Sequence, residues 1–399
     1  MSQSVSKSVV IVGGGFGGYY TAHELTRHKI PVTVVDRHGY QTFQPMLYQA
    51  ATGLIALDDL EFHFSHMKDV DSVASEVSDV DLDTRTVTLP NGVSLTADHL
   101  VLATGCQVNF FGVAGAAEHA LPLYTGADAQ AIKHRLQSMI TDTGDLRIVV
   151  VGAGATGVEI TGALLDVITD VLPRTYPSFE GRKYELHIVD HGTAPLAAMK
   201  QAGQEFATKT LTDAGVTLHM GHDVTQVSDT GVTLDDGSTI EAQMVVWAGG
   251  LSAVGPTLSP AVQTGHGGRV IVDADLRVPG YDSVYCIGDG SIDPNDSLPQ
   301  LGSVAKQQGL HTGKSIRRQL KGKAPEPFHY KDMGDMAMVR HDAAVVEIGK
   351  MHHPVTGPIA FAMWLGLHAY LLPGESHRVD ALHDWAHEMR TGKSQFLSD

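Results

Sequence analysis

Short, wholly apolar runs followed by glycine-rich turns set the organisation of this chain. Ser8 to Val12 (SVVIV) is a continuous apolar run of strand length, the pattern of a parallel strand covered on both faces. It is followed at once by Gly13, Gly15 and Gly18 in G-x-G-x-x-G spacing, then a helical pattern through Arg27 and a second strand at Val32 to Asp36 (VTVVD). The same order returns at Arg147 to Val151 (RIVVV), with Gly152, Gly154 and Gly157, a helix through about Val167, and a strand at Glu185 to Asp190 (ELHIVD). Two more apolar runs, His99 to Ala103 (HLVLA) and Ser283 to Ile287 (SVYCI), read as strands that end in Thr104-Gly105 and Gly288-Asp289. This alternation predicts an α/β chain with two Rossmann-like dinucleotide-binding domains and a small α+β C-terminal domain.

Each glycine has a physical reason. The first makes the tight turn, the second lets a pyrophosphate approach the backbone, and the third lets helix and strand pack closely. The helix N-terminus then offers amide donors to the diphosphate. One such motif alone is equally well a plain strand-to-helix turn; two copies, each followed by an acidic strand end, favour dinucleotide binding. Asp36 follows Gly13 by 23 positions, the usual reach of a carboxylate to a ribose hydroxyl. Asp190 follows Gly152 by 38, so Asp170 to Lys183, with its two prolines, is predicted as an excursion before the strand. Asp190 would repel a 2′-phosphate, which favours NAD over NADP, although a helix-capping role is also open to it.

Composition narrows the partners. The 399 residues carry a formal net charge of -17, so no basic face for nucleic acid is in view and an anionic membrane surface is disfavoured. Cys106 and Cys286, 180 positions apart, build no zinc knuckle or disulfide framework, which fits a reducing, cytoplasmic setting. No signal peptide is read at the N-terminus. The longest apolar stretch, Ile359 to Leu372, is 14 residues and contains His368. A bilayer-spanning helix needs about 20, so a core helix is expected there rather than a span or an interfacial element. His383 and His387 stand at i, i+4, but no carboxylate or cysteine is spaced to complete a metal site, and no metal is expected.

With these strands in place the chain resembles the flavoproteins with two dinucleotide-binding domains. In that family an Ala103-Thr104-Gly105 turn closes the FAD domain, and a Gly288-Asp289 pair sets its carboxylate on the FAD ribityl chain; a simple turn aspartate is the alternative. The segment Phe43 to Gly53 reads FQPMLYQAATG and has no cysteine, which excludes a redox-disulfide reductase. It is similar to the corresponding segment of type II NADH dehydrogenases, single-subunit flavoproteins that pass electrons from NADH to a quinone without pumping protons. Further matches are Gly152 to Glu159 (GAGATGVE), Val246 to Gly249 (VWAG), Gly302 to Gly309 (GSVAKQQG), and Trp364, Leu365, His368, Leu371, Arg378 and Trp385. The resemblance implies FAD on Gly13, Gly15, Phe16, Gly17, Gly18, Asp36, Arg37, Gln44, Ala103, Thr104, Gly105, Gly288 and Asp289. It implies NADH on Gly152, Gly154, Gly157 and Asp190. Glu159 would face the nicotinamide, although a carboxylate near a helix start is favoured by the macrodipole alone. Gln307 and Gln308 would bond flavin or quinone carbonyls, or else lie on a solvated helix face.

The same resemblance divides the chain into a discontinuous FAD domain (1–112 and 245–325), an NAD domain (113–244) and a C-terminal cap (326–399) through which a homodimer forms. A quinone would enter between the FQPMLYQ segment, the Gln307/Gln308 helix and the cap. Two departures stand out. Gly302 and Ser303 replace the Ala-Gln pair usual at the quinone site, and the tail Thr391 to Asp399 has little apolar face, so membrane contact is at most peripheral. Two alternatives stay open: a soluble diaphorase or oxidase using oxygen, a dye or a partner protein, and a non-catalytic flavin-binding redox sensor.

Overall fold

Strands that are apolar at every position need cover on both faces, and the chain supplies it with helices. The strands that build the main sheets, in chain order, are β1 (Val9–Val12), β2 (Val32–Asp36), β3 (Val70–Ala74), β4 (His99–Leu102), β5 (Ala120–Pro122), β6 (Leu146–Val151), β7 (Tyr184–Asp190), β8 (Thr217–Met220), β9 (Met244–Trp247), β10 (Val284–Cys286), β11 (Asp335–Arg340), β12 (Ala343–Glu347) and β13 (Val355–Gly357), with further strands between them. The helices that matter here are α1 (Phe16–Thr26), α2 (Leu47–Ala51), α3 (Gly126–Thr141), α4 (Ala155–Asp166), α5 (Gly302–Gln319), α6 (Pro358–Leu371) and α7 (Glu375–Thr391). The structure, a computed structural model, describes residues 8–142, 144–176, 179, 181–349 and 354–391. The tail after Thr391, the His387 side chain, and Pro177, Ser178 and Glu180 of the expected excursion lie outside the described residues.

The chain forms two compact units, and both are built on a parallel sheet. The first comprises residues 8–42, 61–107 and 251–331. Its sheet runs β10-β4-β1-β2-β3, parallel throughout. β1 and β4 are buried at every position, His99 of β4 included, as strands covered on both faces are. Here α1 and α5 approach closely, because α5 carries glycine where the two helices meet. A Cβ on Gly309 would lie 2.4 Å from the Gly17 carbonyl oxygen.

The second unit comprises residues 43–60, 108–250 and the described part of 332–391. Its parallel sheet runs β5-β9-β6-β7-β8. The same unit holds an antiparallel sheet, β11-β12-β13, whose central strand is buried at all its positions. After α4 the chain does make an excursion: the helix runs on through a π turn (Val167–Val171) and a short helix (Leu172–Thr175) before β7. The expected core helix at Ile359 to Leu372 is α6, and only one of its faces is core. Ala360, Trp364 and His368, at i, i+4 and i+8, are buried, whereas Ile359 is 70% and Tyr370 71% exposed.

Candidate active site

In the first unit the turn after β1 is shaped by Gly13, whose φ of +100° suits glycine, and a Cβ on Gly18 would lie 1.9 Å from the Gly13 carbonyl oxygen. Gly15 differs. An added Cβ there would meet no atom within 4 Å, so the backbone faces open space where a diphosphate could come close. Asp36 closes the turn from the end of β2, its Oδ2 accepting from the Gly14 N–H at 2.7 Å and its Oδ1 from the His38 N–H at 2.9 Å. Gly13, Asp36, Arg37 and Thr104 line one cleft of about 230 Å³. Arg37 is exposed and lies 4.0 Å from the Glu76 carboxylate. Ala103 packs under the turn, and Gly105 follows with φ +68°.

Gly288, with φ +72°, donates its N–H to Gln308 Oε1 at 2.6 Å. The buried Gln308 therefore holds the Gly288-Asp289 turn in shape. The neighbouring Gln307 is tied differently: its Nε2 donates to the Lys331 carbonyl at 2.9 Å and its Oε1 accepts from the Lys331 N–H at 3.0 Å. Both ends of that amide serve the backbone of a returning segment. Ser303 shares a 3.0 Å hydroxyl contact with Tyr330. Phe16 packs toward Gly302, and Gly17 lies beside Ile287 and Gly309.

The two cysteines come to the same loop, the Cys106 thiol donating to the Asp289 carbonyl at 3.3 Å and that of Cys286 to the Gly290 carbonyl at 3.8 Å. Both are free thiols, and burial pushes each up to about 12. Burial thus keeps both as thiols, not thiolates, at neutral pH.

The second fingerprint repeats the first atom for atom. Gly152 has φ +103°, a Cβ on Gly157 would lie 1.8 Å from the Gly152 carbonyl oxygen, and Gly154 faces open space. Asp190 accepts from the Ala153 N–H at 2.7 Å through Oδ2 and from the Gly192 N–H at 2.6 Å through Oδ1. One turn into α4 comes Glu159, whose Oε1 accepts from the Met338 N–H at 3.1 Å. Burial raises its carboxyl from 4.5 to about 8, only partly offset by the Met338 N–H and the Trp364 indole, so it holds a proton at neutral pH. Gln44 belongs to this second unit, not to the unit of the first fingerprint, and donates to the Tyr124 carbonyl at 3.1 Å.

The FQPMLYQ segment and Trp385 meet here as a linked group, together with residues that escaped the sequence reading, Met338, Asp166, Arg174, Arg340 and His341. Trp385 Nε1 donates to Gln49 Oε1 (2.9 Å), Gln49 Nε2 to the Tyr48 hydroxyl (3.0 Å), and that hydroxyl to Met338 Sδ (3.3 Å). Tyr48, Gln49, Leu54, Phe361, Leu365 and Trp385 line a cavity of about 300 Å³, with Asp166, Arg174 and His341 at its polar end. His368 stacks on Trp364 at 3.9 Å, and burial lowers its pKa to about 4. The i, i+4 spacing of Trp364 and His368 was the available signal for that pair; nothing in the spacing of Asp166 and His341 brings them together. Asp166, Asp170 and His341 place ligand-type atoms within 4.8 Å of one another, but the Arg340 guanidinium already lies 2.6 Å from Asp166 Oδ1 and 3.3 Å from Asp170 Oδ2, where it supplies the positive charge.

Residues 7–309 match the pyridine nucleotide-disulphide oxidoreductase family. The chain is 31% identical to the type II NADH:quinone oxidoreductase NdhA of Mycobacterium tuberculosis, over 94% of this chain and 86% of that protein. Its fold is similar to that of NDH2 from Plasmodium falciparum, solved with NADH, at a TM-score of 0.87 and 18% identity, over 96% of this chain and 98% of the other. The sulfide:quinone oxidoreductase of Aquifex aeolicus shares the fold at a TM-score of 0.78 and 18% identity, over 94% and 92% of the two chains.

Proposed function

We propose how the work is divided among the residues of a chain that belongs to the pyridine nucleotide-disulphide oxidoreductase family and, within it, to the type II NADH:quinone oxidoreductases. It passes electrons from NADH to a quinone without pumping protons, with FAD, when bound, supplying the hydride acceptor and two-electron carrier. The diaphorase and sensor alternatives give way to that membership.

Gly13, Gly15 and Gly18 with Asp36 hold the FAD diphosphate and ribose, and Asp289, on the turn that Gln308 braces, holds the ribityl hydroxyls. Gly152, Gly154 and Gly157 with Asp190 hold NADH. What supports this is the pair of open glycines, Gly15 and Gly154, each at a helix start with its strand-end aspartate fixed by two backbone N–H groups. Glu159 faces the nicotinamide as a neutral acid, one oxygen accepting from Met338 and the other carrying the proton. Of the two glutamines, Gln308 is the one we place at the flavin, since Lys331 engages both ends of Gln307. In functional terms the FAD domain is 1–112 and 245–325, the NAD domain 113–244 and the cap 326–399.

The quinone ring takes the aromatic cavity of the second unit, whose walls come from the FQPMLYQ segment and the C-terminal helices. Leu54→Trp, which fills that space, should raise KM for menadione about tenfold or more while leaving the anaerobic reduction of flavin by NADH unchanged. An unaltered KM would remove the ring from this cavity.

No helix among the described residues is long and apolar enough to cross a membrane. The exposed Ile359, Leu367 and Tyr370 of α6 and Val379 and Leu382 of α7 form the cap surface on which we place a second copy of the chain. Light scattering should give twice the 42.6 kDa chain mass. A monomer that sediments with liposomes would instead assign this surface to peripheral membrane contact; a monomer that does not would leave the enzyme cytoplasmic and unpaired.

A further inference from the structure

Glu159 is one of three points at which α4 grips β11, and the other two lie in order along both elements. Glu159 Oε1 accepts from the Met338 N–H at 3.1 Å. Halfway along, Gly162 touches the strand so closely that a Cβ would fall 1.9 Å from the Val339 carbonyl oxygen. Beyond it, Asp166 Oδ2 accepts from the His341 N–H at 2.6 Å, and Asp166 Oδ1 accepts from Arg340 Nε at 2.7 Å and lies 2.6 Å from Arg340 Nη2. The spacing is self-consistent: seven residues of helix rise about 10.5 Å, and three residues of extended chain, from Met338 to His341, span about 10 Å. The register of β11 against β12 shifts between Met338 and Arg340, so the sheet partner does not by itself fix how the end of β11 lies. The grip from α4 does.

We propose that Asp166, buried and two turns beyond Glu159 on the same helix face, is a positioning residue for the NADH half-reaction: by holding Arg340 and His341 it sets the register in which the Met338 N–H meets Glu159. In the NADH half-reaction Asp166 acts only through Arg340 and His341. Its removal loosens the far end of the grip, and the Met338 N–H, which favours the ionised form of Glu159, moves away. The charged or titratable groups on the elements around α4 are Asp335, Arg340 and His341 at β11, Tyr48 on α2, Arg147 on β6, Tyr184, Glu185, His187 and Asp190 on β7, His368 and Tyr370 on α6, and Asp166, Asp170 and Arg174 on its own helical run. None of them is a cause of the Glu159 shift, which burial dominates, so a change in its titration reports the Met338 and Trp364 contacts.

This inference rests on the reading of Glu159 as a neutral acid beside the nicotinamide. The test is the pH profile of anaerobic flavin reduction by NADH in the FAD-loaded enzyme. Wild type should show a step near pH 8 that Glu159→Gln abolishes. Asp166→Asn should move the step up by about one pH unit, the worth of one hydrogen bond to a charged acceptor, and should add nothing in the Glu159→Gln background. Arg340→Leu, which leaves Asp166 its His341 N–H, should move it in the same direction by less, and serves if Asp166→Asn does not fold. A step that stays at the wild-type pH in these variants, even with a lowered Tm, overturns the positioning role alone. A wild-type profile with no step overturns the Glu159 reading and this inference with it.

Discussion

The two glycine fingerprints are nearly superimposable in their turns and unlike in what their helices lean on. In both, the first glycine adopts positive φ, the third sits against the carbonyl of the first, and an aspartate accepts the N–H of the residue after the first glycine at 2.7 Å. But α1 leans on another helix, α5, through glycine contacts and a Thr21 hydroxyl that donates to the Gly309 carbonyl at 3.2 Å. At the position that corresponds to Glu159 it carries Tyr20, whose ring lies under the Lys306 ammonium at 4.6 Å, and no carboxyl. By contrast α4 leans on strand β11 and carries Glu159 one turn in, with its carboxyl raised to about 8. Identical local chemistry thus serves two ends. On the proposed reading each copy holds a dinucleotide, and the second also brings Glu159 to it.

The largest expected effect comes from the open glycines. Gly15→Val and Gly154→Val both replace residues where an added Cβ meets no protein atom within 4 Å, so the fold should survive while the diphosphate space is filled. Gly15→Val should purify without its yellow cofactor, and Gly154→Val should stay yellow but need at least about 100-fold more NADH to bleach, as a loss of ~2.7 kcal/mol requires. Absorbance spectra and NADH titrations decide it. If Gly15→Val keeps FAD at normal affinity, the first fingerprint does not hold the diphosphate.

Glu159 makes the comparison asymmetric in stability as well. Between its unfolded value of 4.5 and about 8, the folded chain keeps a proton that the unfolded chain releases, so this group's contribution to stability falls as pH rises through that window. Glu159→Gln has no such slope. The Tm of the variant relative to wild type should therefore climb steadily from pH 5 to pH 8. A Tm difference that is constant with pH would mean that Glu159 is not a neutral acid in the folded chain.

The aspartates give a smaller contrast. Asp190→Ala should narrow the preference for NADH over NADPH about tenfold in kcat/KM. Asp36→Ala should weaken FAD retention and leave that preference alone. Equal kcat/KM for both nucleotides in wild type would show that Asp190 does not face the ribose. Smallest of all is Gln307→Ala, which removes only the tie to Lys331 and should leave quinone kinetics within about twofold while lowering Tm slightly.

What could be read from the sequence was what local spacing encodes. The turn geometry at Gly13 and Gly152, the strands around them, and the placing of Asp36 and Asp190 at strand ends all follow from residues within one βαβ unit. Gln307 looked like a site amide because its sequence shows a helix face and cannot show that the Lys331 backbone returns to occupy it. The contacts of Asp166 with Arg340 and His341 bridge more than 170 positions with no period or motif to announce them. The half-buried character of α6 was hidden for another reason. Its fourteen residues are apolar almost all round, so periodicity could not tell the face carrying Trp364 and His368 from the exposed face of Ile359 and Tyr370.

The measurement that tests the account most directly is an anaerobic double-mixing experiment on the wild-type enzyme. One equivalent of NADH is mixed first, and either menadione or air-saturated buffer follows. The account predicts that NADH bleaches the flavin fully and that menadione restores its absorbance with one quinone consumed per NADH, faster than oxygen does. A flavin that NADH leaves oxidised, or one that menadione reoxidises no faster than air, would contradict it.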